Sequence, residues 1–332
     1  MPLHIRPLIA AVLGVTALTV SYSPNPAQAQ PPADWPNRPI QLVVASSAGS
    51  GTDAGARVMA KHLSESLKQP VVVDNRPGGS GVIATNVVAK APADGYTLLY
   101  TTASNIVVSP AVMKSIPDPR KRLMPIAQTA TGGILMLVST DLPVHDLPEL
   151  IQFVKAHPGQ YGYGSPTVGS AGNLMMEWLK KQTGMKTEHV AYRTATQLLT
   201  ELSSGILKIG FTDPAAPVPF IRSGKVRAIA IAGNAHSPQF PAIKTMAEQG
   251  YRFDAVGWWG MFAPAGTDPA IVKRLNDEIN KVQKDPGLAE MMKTMNIVPP
   301  PVTTPSQFAS IVDSDAKVWS KIADDAGIRI EE

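Results

Sequence analysis

A unit that recurs along this chain limits what it can fold into. A short apolar run is followed by a loop of Gly, Ser and Thr, and then by residues with helical periodicity. Ile40 to Ala45 (IQLVVA) is the first such run, and a helix is expected from Asp53 to Lys68. Met59, Leu63 and Leu67 recur there every four residues and form one apolar face. Pro70-VVVD, ending at Asp74, reads as the next strand; Val82 to Lys90 is a helix and Tyr96 to Thr101 a third strand. The order strand, helix, strand, helix, strand predicts a parallel sheet covered by helices.

The rhythm starts again beyond Ile126. Ile134 to Ser139, Tyr161 to Ser165, Val190 to Tyr192, Leu207 to Phe211 and Val226 to Ala232 read as strands. Leu147 to His157, Leu174 to Gln182 and Ala195 to Ser203 read as helices between them. Near the end stand two more helices, Ile271 to Lys284 and Ser306 to Asp324, joined by the stiff run PPPVTTP. The segment Trp258 to Pro264 is placed to return the chain to the first unit. The expected fold is therefore α/β, with two domains, crossing strands at a hinge and a cleft between them. Domain 1 takes 35–130 and 262–332, and domain 2 takes 131–261. A chain of 332 residues suits two domains.

The N-terminus has the three parts of a secretory leader. Arg6 precedes an apolar run from Leu8 to Val20, and Ala27-Gln28-Ala29 supplies small residues for cleavage after Ala29. The run is too short for the ~20 residues of a spanning helix. The mature chain is expected to start near Gln30 and to work in the periplasm. It has no cysteine, so disulfides, thiol catalysis and thiolate metal sites are excluded. None of the six His pairs with another at metal-ligand spacing, and no metal or cofactor is expected. A net charge of +4 without a basic cluster argues against nucleic acid.

Four loops lie between a strand and a helix: Ser46 to Thr52, Asn75 to Gly81, Ser165 to Asn173 and Tyr192 to Thr196. In α/β sheets such loops sit at the carboxyl ends of strands, where ligands bind. The following helix offers unpaired N–H groups and the positive end of its dipole, so such loops can hold a small anion without Lys or Arg. Two enzyme readings compete. Gly49-Ser50-Gly51-Thr52-Asp53-Ala54 fits a relaxed G-x-G-x-x-A dinucleotide loop, with Asp74 placed as a ribose acid. The leader and the lack of a general acid or base oppose it. A secreted serine hydrolase is the second, but no G-x-S-x-G is present.

The ordered set WPNRPIQLVV, AGSGTDAGAR, VVVDNRPGGSG, DGYTLL, YGSPTVGSAGN, HVAYR, FTD, SGKVRAIAI and WWGMFAPAGT resembles the periplasmic solute receptors of tripartite tricarboxylate transporters, the Bug receptors. The resemblance covers Trp35 to Ile328. It implies a non-enzymatic, monomeric flytrap protein that closes on a small organic acid: a di- or tricarboxylate, an amino acid or an aromatic acid. It implies two integral membrane subunits as partners. A sensor that signals to a membrane kinase is the alternative role.

Carried over by position, the resemblance implies ligand contacts at Ser46, Ser47, Ala48, Gly49, Ser50, Gly51, Thr52 and Asp53. It implies others at Thr101, Ser104, Asn105, Ser165, Thr167, Gly169, Ser170, Tyr192, Arg193 and Asp213, with Trp258 and Trp259 near the hinge. Ala45-Ser46 stands where the family usually has Pro and an aromatic residue, and Thr194 where it usually has Gly. The lost aromatic wall implies a larger or more polar ligand.

Overall fold

A computed structural model describes residues 34–329, apart from 167, 234, 254 and 256, together with residue 1. Residues 2–29 of the expected leader, and Thr167, lie outside the described residues. In chain order the elements are β1 (Ile40–Val44), α1 (Gly51–Leu67), β2 (Val71–Asn75), α2 (Val82–Ala89) and β3 (Thr97–Thr102). A π-helical turn (Ser104–Val108), α3 (Ser109–Val112), β4 (Leu123–Gly132), β5 (Leu135–Ser139), α4 (Leu147–Ala156) and β6 (Tyr163–Pro166) follow. Then come α5 (Ala171–Thr183), β7 (His189–Tyr192), α6 (Ala195–Ser203), β8 (Ile209–Thr212), α7 (Val218–Arg222) and β9 (Val226–Ile231). The chain closes with β10 (Gly257–Pro264), α8 (Pro269–Val282), α9 (Pro286–Thr294) and α10 (Pro305–Ala326).

These strands form two five-stranded sheets, ordered β2-β1-β3-β10-β4 and β7-β6-β8-β5-β9. The sheets are mixed rather than parallel. β1 is parallel to β2 and β3, but β10 is antiparallel to β3 and β4. In the second sheet β6 is parallel to β7 and β8, while β5 is antiparallel to β8 and β9. The reason is connectivity: β10 brings the chain back into the first sheet and runs against both of its neighbours, while β4 keeps the direction of β1, β2 and β3; in the second sheet β5, on which the chain arrives, is the reversed strand. The expected divisions at 130/131 and 261/262 fall inside β4 and β10.

β4 was not legible as a strand. It carries Pro125 and the buried polar residues Gln128 and Thr129. Pro125 faces Phe262 where the pairing register slips, a place where a missing N–H is tolerated. Just beyond β4, Gly133 is required by a close approach: a methyl group there would lie 1.9 Å from the Ala232 carbonyl oxygen. Only glycine lets the outgoing strand pass so near β9.

α1 and α8 cover one face of the first sheet, with Leu42, Met59, Leu63, Leu275 and Ile279 in one buried cluster. The largest cluster runs through both sheets. It joins Val43 and Leu99 to Phe262, Trp258, Phe308 and Trp319, and continues to Phe211 and Leu174. Phe253 packs edge-on against both Trp319 of α10 and Trp178 of α5. α10 thus backs the hinge and ties the two sheets on one side. The cleft opens elsewhere, at the ends of the βα loops.

Candidate functional site

The loops before α1 and α5 use the same device. Ser50 caps α1 by accepting from the Asp53 N–H at 3.2 Å, and Ser170 caps α5 by accepting from the Asn173 N–H at 3.4 Å. The third helical residue then reaches back. Asp53 Oδ2 accepts from Gly49 N at 2.8 Å, and Asn173 Oδ1 accepts from Gly169 N at 2.9 Å. Both glycines lie in the left-handed region, at φ +81° and +72°, where a side chain would strain the turn. Gly-Ser-x-x-Asp and Gly-Ser-x-x-Asn are thus two versions of one closed loop. Each leaves the first two helical N–H groups without intrahelical partners: Gly51 and Thr52 in one, Ala171 and Gly172 in the other.

Asp53 is a structural hub. It is buried, and its carboxylate also accepts from Arg57 Nε at 3.0 Å and from Asn75 Nδ2 at 3.0 Å. Burial pushes its pKa up, but the bonds from Arg57, Gly49 and Asn75 outweigh that and hold it below the ordinary value. In the second lobe Asn173 Nδ2 donates to the Tyr163 hydroxyl at 2.6 Å, and that hydroxyl donates to Glu177 at 2.6 Å. The α5 loop is held without a formal charge on Asn173.

A cavity of about 440 Å³ lies between the two sheets, a size suited to a small molecule. The second lobe lines it with Gly169, Ser170, Ala171 and Gly172 at the start of α5, and with Asp213 after β8. The first lobe contributes Ser104 and Asn105 of the π-helical turn, and the hinge contributes Gly132, Trp258 and Trp259. No Lys, Arg or His lines it among the described residues. Two other hollows lie along the surface, one around Lys317 and Lys321 of α10 beside Arg120, the other around Lys273 and Lys281 of α8 beside Val302. Neither brings loops together.

Of the residues expected at the ligand, Ser104, Asn105, Gly169, Ser170 and Asp213 line this cavity. Thr101 stands one turn behind, where its hydroxyl accepts from Asn105 Nδ2 at 2.9 Å. Ser165 is buried beneath Ser170; its hydroxyl lies 2.8 Å from Ser170 Oγ and 2.7 Å from His189 Nε2. Burial lowers the His189 pKa, with Glu177 pulling it up and Lys180 pushing it further down. Tyr192 is buried and its hydroxyl donates to Glu201 at 2.7 Å, while Arg193 is exposed.

Ser46, Ser47, Ala48, Gly49, Ser50, Gly51, Thr52 and Asp53 are not among the described residues that line the cavity. Gly51 comes near it: a methyl group built there would lie 3.8 Å from the Trp259 indole and 4.0 Å from Ala215 Cβ, both of cavity-lining residues, and one on Gly55 would lie only 2.7 Å from the indole. Ser46 is half-buried, and its hydroxyl accepts from Ser50 Oγ at 2.9 Å. The cavity has an aromatic wall all the same, made by Trp258, Trp259 and Phe211. Trp258 is nine-tenths or more buried, and its Nε1 donates to Asp315 Oδ2 at 2.7 Å.

Sequence reasoning missed Ser80, Ser109, Val112, Met113, Ile134 and Ile297, all of which line the cavity. Ser80 lies in the Gly-rich loop already singled out. The others follow no strand-to-helix signal and reach the cleft through the π-helical turn, the hinge and the segment after α9.

No group of three or more His, Cys, Asp or Glu able to hold a metal occurs among the described residues, and no described helix is long and apolar enough to cross a membrane.

The family model described as "Tripartite tricarboxylate transporter family receptor" matches residues 55–328. The chain is 33% identical to Protein BugT of Bordetella pertussis over 326 residues, covering 97% of this chain and 98% of that one. Among solved structures it is similar to Rpa4515 of R. palustris with adipate, at 30% identity and a TM-score of 0.80, covering 90% of this chain and all of that one. It is also similar to MatC of Rhodopseudomonas palustris with bound malate, at 25% identity and a TM-score of 0.75, covering 87% and 99%.

Proposed function

The chain belongs to the tripartite tricarboxylate transporter receptor family, and on that premise we propose that it is an exported receptor for one small organic acid. The family is one of solute receptors, not enzymes. The acid is taken between the two sheets and handed to two integral membrane subunits of such a transporter. The leader-like segment around Leu8 to Val20 and Ala27-Gln28-Ala29 supports export to the periplasm. The relatives' adipate and malate support a carboxylate.

The observation that carries the reading is the start of α5. Ala171 and Gly172, whose N–H groups have no intrahelical acceptor, line a cavity whose described lining has no basic side chain. A carboxylate seated there would complete the unpaired N–H groups and meet the positive end of the helix dipole. Ser104, Asn105, Gly169, Ser170 and Asp213 are the expected contacts. Ser46 to Asp53 are expected to act through Trp259, by fixing its ring against Gly51 and Gly55.

A thermal-shift screen of organic acids on the purified mature chain tests this. At a hundredfold excess over Kd, binding stabilises the folded state by about 2.7 kcal/mol. That corresponds to a rise in Tm of several degrees at about 2–4 °C per kcal/mol. A Tm unmoved by every acid in the panel would overturn the reading.

A further inference from the structure

We propose, resting on the receptor reading above, that the ligand is a monocarboxylate carrying a cationic amino group and an apolar body, not a di- or tricarboxylate. Charge complementarity points there. Asp213 is the one ionisable side chain among the described residues lining the cavity. It is exposed to the cleft and held in place by its own turn. Oδ1 accepts from the N–H groups of Ala215 at 2.9 Å and Ala216 at 3.1 Å, and Oδ2 accepts from Thr212 Oγ1 at 3.3 Å. These bonds come from neutral donors, so they orient the carboxylate without cancelling its charge.

Against that negative charge stands one helix start, α5, able to take one carboxylate. The second candidate, the start of α1, is not among the residues lining the cavity, and a methyl group on Gly51 would meet the Trp259 indole at 3.8 Å and Ala215 Cβ at 4.0 Å. A second carboxylate would therefore meet Asp213, the neutral groups of Ser104 and Asn105, or an apolar wall. That wall is made by Val112, Ile134, Phe211, Trp258 and Trp259. A charge brought against it unpaired is costly. One positive pole, one negative pole and an apolar remainder describe the complement of an amino acid with a hydrophobic side chain.

Calorimetric titration at pH 7 with matched pairs tests the idea: phenylalanine against 3-phenylpropanoate, and glutamate against glutarate, with adipate and malate alongside. Phenylalanine is expected to bind at least about tenfold tighter than 3-phenylpropanoate, about 1.4 kcal/mol, and tighter than glutamate. Asp213→Asn keeps Oδ1 as the acceptor for Ala215 and Ala216, and should shrink that preference to a few-fold. Tightest binding of adipate, malate, glutarate or glutamate by the wild type would overturn the inference and leave the receptor reading standing. So would an amino preference unchanged by Asp213→Asn. If that variant does not fold, the wild-type pairs decide alone. Failure of every acid to bind would overturn the receptor reading itself, and this inference with it.

Discussion

Asp315 of α10 carries a prediction whose size follows from the structure. Its side chain is 8% exposed and accepts a hydrogen bond from Trp258 Nε1 at 2.7 Å. Burial raises its pKa from 3.8 to about 6, and the Trp258 bond only partly opposes this. A carboxyl group that holds its proton more tightly when folded destabilises the fold once ionised. The penalty is fully present above about pH 6 and is relieved as pH falls towards 4. The gap between the two pKa values corresponds to about 3 kcal/mol. Asp315→Asn removes the charge and keeps an oxygen to accept from Trp258. The variant should be more stable than the wild type by up to about 3 kcal/mol at pH 7.5, and the advantage should fade to nearly nothing at pH 4. Urea unfolding followed by circular dichroism from pH 4 to 8 measures it. Only the difference between the two chains is informative, because Asp53, Asp118, Glu248 and Glu278 have lowered pKa values and tilt stability the other way in both. A difference that does not change with pH would mean that Asp315 pays no ionisation penalty in the fold. A variant less stable than the wild type at pH 7.5 would mean that the hydrogen bond, not the buried charge, governs the site.

Two further changes probe the cleft. In Gly55→Ala the new methyl group would meet Trp259 Cζ3 at 2.7 Å and the Tyr100 hydroxyl at 3.0 Å. Overpacking of about 1–3 kcal/mol is partly offset by about 1 kcal/mol of helix propensity, so a net loss below about 2 kcal/mol is expected. The displaced ring should cut ligand affinity at least about tenfold by calorimetry; unchanged affinity would show that the ring yields away from the cavity. Asn296 follows α9 and binds the second lobe: its Nδ2 donates to the Pro214 carbonyl at 2.8 Å, and its Oδ1 accepts from Ser237 Oγ at 2.6 Å and Gln239 N at 3.1 Å. Asn296→Ala should cost about 2–4 kcal/mol through the buried groups left unpaired. It should also enlarge the radius of gyration of the ligand-free protein in small-angle scattering; an unchanged radius would mean the lobes are held by the shared core alone.

Much of the architecture was legible because local periodicity and capping agree. The Met59, Leu63, Leu67 stripe and the loops Gly-Ser-Gly-Thr-Asp and Gly-Ser-Ala-Gly-Asn announce α1 and α5, and the apolar runs announce β1, β2 and β3. β4 escaped because it is buried on both faces yet carries Pro125, Gln128 and Thr129, so neither alternation nor a continuous apolar run marks it. α9 escaped because its apolar Leu288, Met291 and Met292 span little more than one turn. The site divides the same way. Ser170 and Asp213 end strand-to-loop units, and their place follows from topology. The position of Trp259 does not, since the ring meets Gly51 and Gly55 across some two hundred residues of chain. Asp53 looks like a ligand contact in sequence, but three donors already occupy its carboxylate, a fact only the folded loop contains.

A crystal structure of the protein with the tightest acid from the screen shows which helix start holds the carboxylate. The ligand carboxylate is expected within hydrogen-bond reach of the Ala171 and Gly172 N–H groups, with the rest of the molecule against Trp258 and Trp259. A carboxylate seated instead on Gly51 and Thr52, with Trp259 swung aside, would rule out α5 as the anion site.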